Sequence, residues 1–176
     1  MGRPGCEYGK INTTKMNSGS RYSTLFVCTA NQCRSPMAEV LFIQYIEEKG
    51  FDAEVWSVAS AGCWAYPGFP ATLNAIKTVH GLGCDLNSHT SQAVTQELLK
   101  DFSLILCMEN EHKQFISEHL PRSSEKVFLL TEMIGEEVEI DDPVVGPIED
   151  YQDTAAFLKN IFQSGFERIK ELSSSI

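Results

Sequence analysis

Leu25-Phe26-Val27-Cys28-Thr29-Ala30-Asn31-Gln32-Cys33-Arg34-Ser35-Pro36 is the stretch on which the rest of the chain is organised. The run from Thr24 to Val27 is apolar or β-branched, the composition of a buried strand. It breaks into a short polar loop. Pro36 then stands where the first turn of a helix tolerates a missing N–H, with Ser35 expected as the N-cap. Met37, Val40, Leu41 and Tyr45 share one helical face, and Glu47, Glu48 and Lys49 lead to Gly50, a stop signal. The stretch reads as strand, loop, helix.

A loop between a strand and a helix can turn its amides inward as an anion nest, reinforced by the positive end of the helix dipole. The thiol of Cys28 opens this loop and the guanidinium of Arg34 closes it. In such a field a thiol is expected to ionise at neutral pH, its pKa falling from about 8.5 into the range of roughly 3.5–7.5 of activated cysteines. Ser35 can donate a hydrogen bond to that thiolate, and Arg34 offers a planar fork for two phosphoryl oxygens. A lone cysteine after a strand is ordinarily just a small buried hydrophobe. Cys28, Arg34 and Ser35 at this spacing point instead to a nucleophile at the mouth of a phosphate cradle.

Composition sets outer limits. A chain of 176 residues, 43% apolar and 22% charged, suits one domain with a sizeable core. Fourteen basic against 24 acidic residues give a net charge of −10, which argues against nucleic acid or an anionic membrane surface as the main partner. A site for an anion must then make its own positive potential. The six cysteines (Cys6, Cys28, Cys33, Cys63, Cys84 and Cys107) are spread through apolar or motif contexts, which points to a reducing, cytoplasmic setting. No apolar run reaches the length of about eighteen residues that a membrane span needs. Four histidines without ligand spacing make a metal site unexpected, and no cofactor is expected. Residues 1–22, rich in Gly, Ser, Asn, Thr and Lys, are expected to form a tail, with the domain spanning 23–176.

Along the domain, strands are expected over 54–59, 102–107 and 126–130, and helices over 70–81, 91–100, 110–120 and 151–173. Alternating strands and helices imply an α/β fold, a single-domain parallel sheet of four strands with helices on both faces. Right-handed crossovers place the cysteine loop at the carboxyl edge of that sheet, where ligands bind in such folds. Near the C-terminus, Asp141-Asp142-Pro143 offers carboxyl groups that could protonate a leaving oxygen, although adjacent carboxylates are more often solvated or part of a turn.

Val27-Cys28 through Arg34-Ser35-Pro36 resembles the signature of the low-molecular-weight protein tyrosine phosphatases, and the likeness extends over about residues 23 to 172. That family also includes bacterial protein-arginine phosphatases and thioredoxin-coupled arsenate reductases. The resemblance implies a flavodoxin-like fold and a phosphomonoesterase that forms a phosphocysteine at Cys28, with Arg34 holding the phosphoryl group and Asp142 as general acid. It implies phosphate binding by Thr29, Ala30, Asn31, Gln32, Cys33, Arg34 and Ser35, with Ser60 buttressing the loop through Asn31 and His89 in a supporting place. Tyr66, with Trp64 as second choice, matches the aromatic wall of the substrate cleft, and Val144 borders it. The implied substrate is a phosphorylated protein or a small aryl phosphate, and the expected state is a monomer or weak dimer.

Three departures from the family pattern bear on shape and specificity. Ala30 replaces the usual Gly before the loop Asn; Val144 and Val145 replace the common aromatics after Asp-Pro; and Gln32 stands where the phosphoarginine branch has Thr. Phosphotyrosine is therefore the leading substrate, with phosphoarginine as the alternative. Arsenate reduction is a weaker rival, because after Cys107 no second cysteine follows in the next helix. A phosphate-binding module without turnover is a further rival, although it would be expected to lack Cys28, Arg34 or Asp142. Cys33, five residues from the nucleophile, either closes a protective disulfide with Cys28 or packs under the loop.

Overall fold

The computed structural model describes residues 21–174. Four strands, β1 (Tyr22–Cys28), β2 (Trp56–Gly62), β3 (Leu104–Cys107) and β4 (Val127–Leu129), form one parallel sheet in the order β2-β1-β3-β4. Five α-helices accompany them: α1 (Arg34–Glu48), α2 (Leu73–Gly81), α3 (Gln96–Lys100), α4 (Asn110–His119) and α5 (Ile148–Ser173).

The central strand β1 is buried from Ser23 to Cys28, and its apolar run Leu25-Phe26-Val27 suits a strand covered on both faces. Its successive side chains separate into two cores, as the period of two requires. Phe26 joins Phe42, Trp56, Phe162 and Phe166 on the side of α1 and α5, whereas Leu25 and Val27 join Ala59, Ile105, Leu99 and Ile116 on the other. In the first core Phe26 and Phe162 each lie 5.6 Å or less from Phe42, at tilted or edge-on angles that aromatic pairs favour. Strand order reverses between β1 and β3, so the crevice at the carboxyl end of β1 is the topological switch point where ligands bind in such sheets. Cys28 is the last residue of β1, in register with Gly62, the last residue of β2.

Several boundaries differ from the expected ones. Helix α1 starts at Arg34 with Cys33 as the N-cap residue, so Ser35 is inside the first turn. Its hydroxyl is used by Cys28, Asn31 and Ala61 and does not cap the helix. Pro36 remains harmless, since the first turn has no intrahelical partner for its missing N–H. The segment 91–94 is extended, not helical: Ala93 forms a bridge with Gly62, and α3 begins only after Thr95, whose hydroxyl caps Leu98 N–H. Helix α2 begins at Leu73 behind the cap Thr72, and α5 begins three residues earlier than expected, at Ile148. The tail expected over residues 1–22 lies outside the described residues up to position 20, and Tyr22 already pairs with Trp56 in β1.

Candidate active site

Five residues span the distance between the end of β1 and the start of α1, and they curl tightly. The turn needs one left-handed residue, and Asn31 supplies it at φ 56°, a conformation that Asn tolerates better than most side chains. Ala30 needs no positive φ, which accounts physically for its standing where relatives have Gly. Within the hydrogen-bond network of the described residues, the amides of residues 30 to 34 donate to no backbone carbonyl. They form a nest of donors at the positive end of α1.

The nest is held from behind by a buried network. Asn31 donates from Nδ2 to Ser35 Oγ at 3.0 Å and to Ser60 Oγ at 2.8 Å, and its Oδ1 accepts from Gln92 N–H at 2.9 Å. Ser60 in turn donates to Glu39 Oε2 at 2.6 Å, one turn further along α1. His89 Nε2 lies 2.8 Å from the Asn31 carbonyl, and burial holds its imidazole below the ordinary pKa, so the neutral ring donates there. Gly62 backs the loop without a side chain: a Cβ there would stand 2.7 Å from Thr29 O and 2.8 Å from Asn31 N.

Cys28 Sγ sits at the base of this nest, 3.0 Å from Ser35 Oγ. Arg34 is fully buried and gripped from several sides. Nη1 donates to the Ile140 carbonyl at 2.7 Å and lies 3.1 Å from Glu109 Oε2; Nη2 donates to Thr29 Oγ1 at 3.0 Å and to Asp142 Oδ2 at 2.7 Å. Its Nε–H alone has no acceptor among the described residues. An oxygen of a phosphoryl group would satisfy it, in the bidentate manner of a guanidinium. Asp142 reaches the site from a 3-10 turn, Pro143–Val145, and steadies it by accepting from Val144 N–H at 3.1 Å. Residues from opposite ends of the chain thus converge on one loop.

The family described as low molecular weight phosphotyrosine protein phosphatase matches residues 23–174. The chain belongs to this family. Among its relatives, the protein-arginine-phosphatase of Bacillus subtilis (strain 168) is 36% identical over 84% of this chain and 96% of its own length. The probable low molecular weight protein-tyrosine-phosphatase EpsP of Ralstonia solanacearum is 34% identical over the same shares of each chain. The crystal structure of a low molecular weight protein tyrosine phosphatase from T. tengcongensis superposes with a TM-score of 0.78 at 35% identity, covering 84% of this chain and 99% of that one. The parallel sheet and the phosphatase class read from the sequence agree with these findings.

Around the mouth of this phosphatase site the side chains are unevenly exposed. Tyr66 is 79% exposed, whereas Trp64 packs on Phe115 and on His112 of α4, with ring centroids 5.3 and 5.9 Å away. Val144 is half exposed beside Asp142. The Gln32 carbonyl accepts from Thr72 N–H, which sets exposed Leu73 next to the loop. Cys33 is buried, its thiol 3.4 Å from Thr72 Oγ1 and 3.7 Å from the Tyr151 hydroxyl, and burial raises its pKa. Both Cys28 and Cys33 are free thiols.

Glu39, Gly62, Gln92, Glu109 and His112 were not singled out by sequence reasoning, yet each touches the loop or one of its supports. Glu39 left a signal: a carboxylate amid Met37, Ala38, Val40 and Leu41, one turn from Ser35, on a face that is otherwise core. Gln92 left none, because its contact depends on an extended segment that the local pattern had suggested to be helical.

Proposed function

We propose that this phosphatase hydrolyses phosphorylated protein in two steps at Cys28, with phosphotyrosine as the preferred substrate. The observation that carries the reading is the meeting of Asp142 and Arg34 at 2.7 Å, across 108 residues of sequence, over the loop that Cys28 opens. The incoming phosphoryl group takes Nε and Nη2 of Arg34 and the loop amides, displacing Asp142 from Nη2 toward the leaving oxygen. Cys28 attacks phosphorus as the thiolate, the S–P bond forms, and the P–O bond breaks as Asp142 gives its proton to the departing oxygen. Water then attacks phosphorus, Asp142 takes its proton, and Cys28 leaves as a thiolate stabilised by the Ser35 hydroxyl. The loop amides and Arg34 hold the equatorial charge through both steps.

The exposed Tyr66 ring and the apolar Leu73 and Val144 at the mouth suit an aryl group. Phosphoarginine is the second reading, favoured by the Bacillus subtilis relative and by Val144 and Val145 in place of aromatics after Asp142-Pro143. Arsenate reduction fits less well: the Cys107 thiol is completely buried, which pushes its pKa far above the ordinary value and keeps it an unreactive thiol. The free state of the five described cysteines supports a reducing, cytoplasmic setting.

Hydrolysis of p-nitrophenyl phosphate in EDTA by the wild type and by Cys28→Ser tests the reading. The wild type is expected to turn over, and Cys28→Ser to retain less than about one part in a thousand of its rate; substantial activity in the variant contradicts it. Competition between phosphotyrosine and phosphoarginine peptides then decides the substrate.

A further inference from the structure

His112 is fully buried in the first turn of α4, outside every motif discussed above, and both of its ring nitrogens are engaged. Nδ1 accepts from Glu109 N–H at 3.1 Å. That bond assigns the proton of the neutral ring to Nε2. Nε2 in turn lies 3.1 Å from Thr29 Oγ1 and 3.3 Å from Glu109 Oε2. Both of these groups also meet Arg34, Thr29 at Nη2 and Glu109 at Nη1. One ring nitrogen therefore touches a side chain at each end of the guanidinium, leaving Asp142 as the further side chain on Nη2.

We propose that His112 is a positioning residue of the phosphate site, fixing the plane of the Arg34 guanidinium through Thr29 and Glu109. The proposal rests on the phosphatase reading and adds to it a residue that touches neither phosphate nor nucleophile. A bidentate fork is useful only if its plane is set before the phosphoryl group arrives, because misorientation is paid at the transition state. Arg34 Nη1 also has the Ile140 carbonyl, but that bond fixes a single point. Thr29 and Glu109 supply the further points that define a plane, and His112 Nε2 prevents both from turning away. The Trp64 ring packs against the imidazole at a tilted angle, with centroids 5.9 Å apart. Burial, and next the charge of Arg34, hold the imidazole pKa down to about 4, so the ring is a neutral donor at working pH and adds no charge of its own.

A bland alternative is that His112 merely caps α4 through Nδ1. Two amide variants separate the roles, because the Asn amide overlays Nδ1 and the Gln amide reaches the place of Nε2. His112→Asn retains the acceptor for Glu109 N–H and loses the contact to Thr29 and Glu109 Oε2. His112→Gln does the reverse. Calorimetric titration with inorganic phosphate, kcat/KM for p-nitrophenyl phosphate, and thermal unfolding are measured on each. The positioning role predicts that His112→Asn unfolds near the wild-type temperature yet binds phosphate and turns over about 10-fold less well, the loss expected for one charge-assisted contact. It predicts that His112→Gln recovers both to within about 3-fold while melting lower than His112→Asn, because the cap on Glu109 N–H is lost. Thr29→Val should add less to His112→Asn than it costs alone, since the two act in one chain of contacts.

Asn within twofold of the wild type, losses that follow melting temperature, equal losses in both variants, or additivity with Thr29→Val would each overturn the proposal. Phosphate binding keeps the two readings apart: a wild type that binds phosphate without turnover defeats the phosphatase reading but leaves His112 on trial. A wild type that binds no phosphate defeats both.

Discussion

The wall of the site that carries Cys28 and the wall that carries Asp142 are built in opposite ways. On the first, the ends of β1 and β2 and the first turn of α1 bury Cys28, Asn31, Ser35, Glu39 and Ser60, and every one of these side chains is hydrogen-bonded to another or to backbone. On the second, Asp142 stands on a short 3-10 turn with Val144 half exposed and Val145 96% exposed, tied to the first wall through Arg34. The difference matches the tasks. A cradle for a phosphoryl group must be set before binding, because its donors act by preorganisation. In the proposed mechanism the Asp142 carboxyl leaves Arg34 when phosphate arrives and follows a leaving group whose size varies, a task that suits the wall with fewer restraints.

If that division of labour is right, damage to the buried wall should be severe and independent of the leaving group, and damage to the exposed wall should depend on it. Asp142→Ala should lower kcat by about 10²–10⁴-fold for poorly activated alkyl or aryl phosphates and much less for p-nitrophenyl phosphate, whose leaving group needs little protonation. A uniform loss across leaving groups would place Asp142 among the binding groups instead. Arg34→Lys removes the fork while keeping the charge, and should cost about 10²–10³-fold in kcat/KM with every substrate. Gly62→Ala drives a methyl group against Thr29 O and Asn31 N, and the overpacking is expected to cost about 1–3 kcal/mol of stability. Because it displaces the loop, it should also lower turnover by about 10- to 100-fold, again regardless of leaving group; chemical denaturation and a leaving-group series check both effects.

The smallest effect concerns pH and stability. The folded-state pKa of His112, about 4, lies below the ordinary 6.5, so the unfolded chain binds the proton first. The stability that depends on a neutral ring is complete above about pH 6.5 and falls as pH drops from there toward 4. Denaturant unfolding of the wild type and His112→Asn across this window should show the wild type losing up to about 3 kcal/mol relative to the variant. Parallel curves would show that the ring is not held neutral.

How much of this the sequence carried differs between the two walls as well. The cysteine wall is local: Cys28 to Ser35 are contiguous, the flanking apolar periods are strong, and the anion nest follows from strand, loop and helix alone. Asp142 could be placed only through the family resemblance, because an Asp-Asp-Pro turn looks the same in any surface loop. Segment 91–94 was misread because Gln92, Ala93 and Val94 take their conformation from Gly62 and Asn31, contacts more than 25 residues away that no local pattern encodes. His112 was invisible for the same reason: its partner Thr29 lies 83 residues earlier.

The phosphocysteine at Cys28 is the central species of the proposed mechanism. Rapid acid quenching of the enzyme during turnover of a phosphorylated peptide, followed by peptide mapping, reads it without inference from rates. The expected result is a phosphoryl group on the Cys28 peptide at up to one per chain, absent from Cys28→Ala; a label on any other residue, or none at any quench time while product forms, would contradict it.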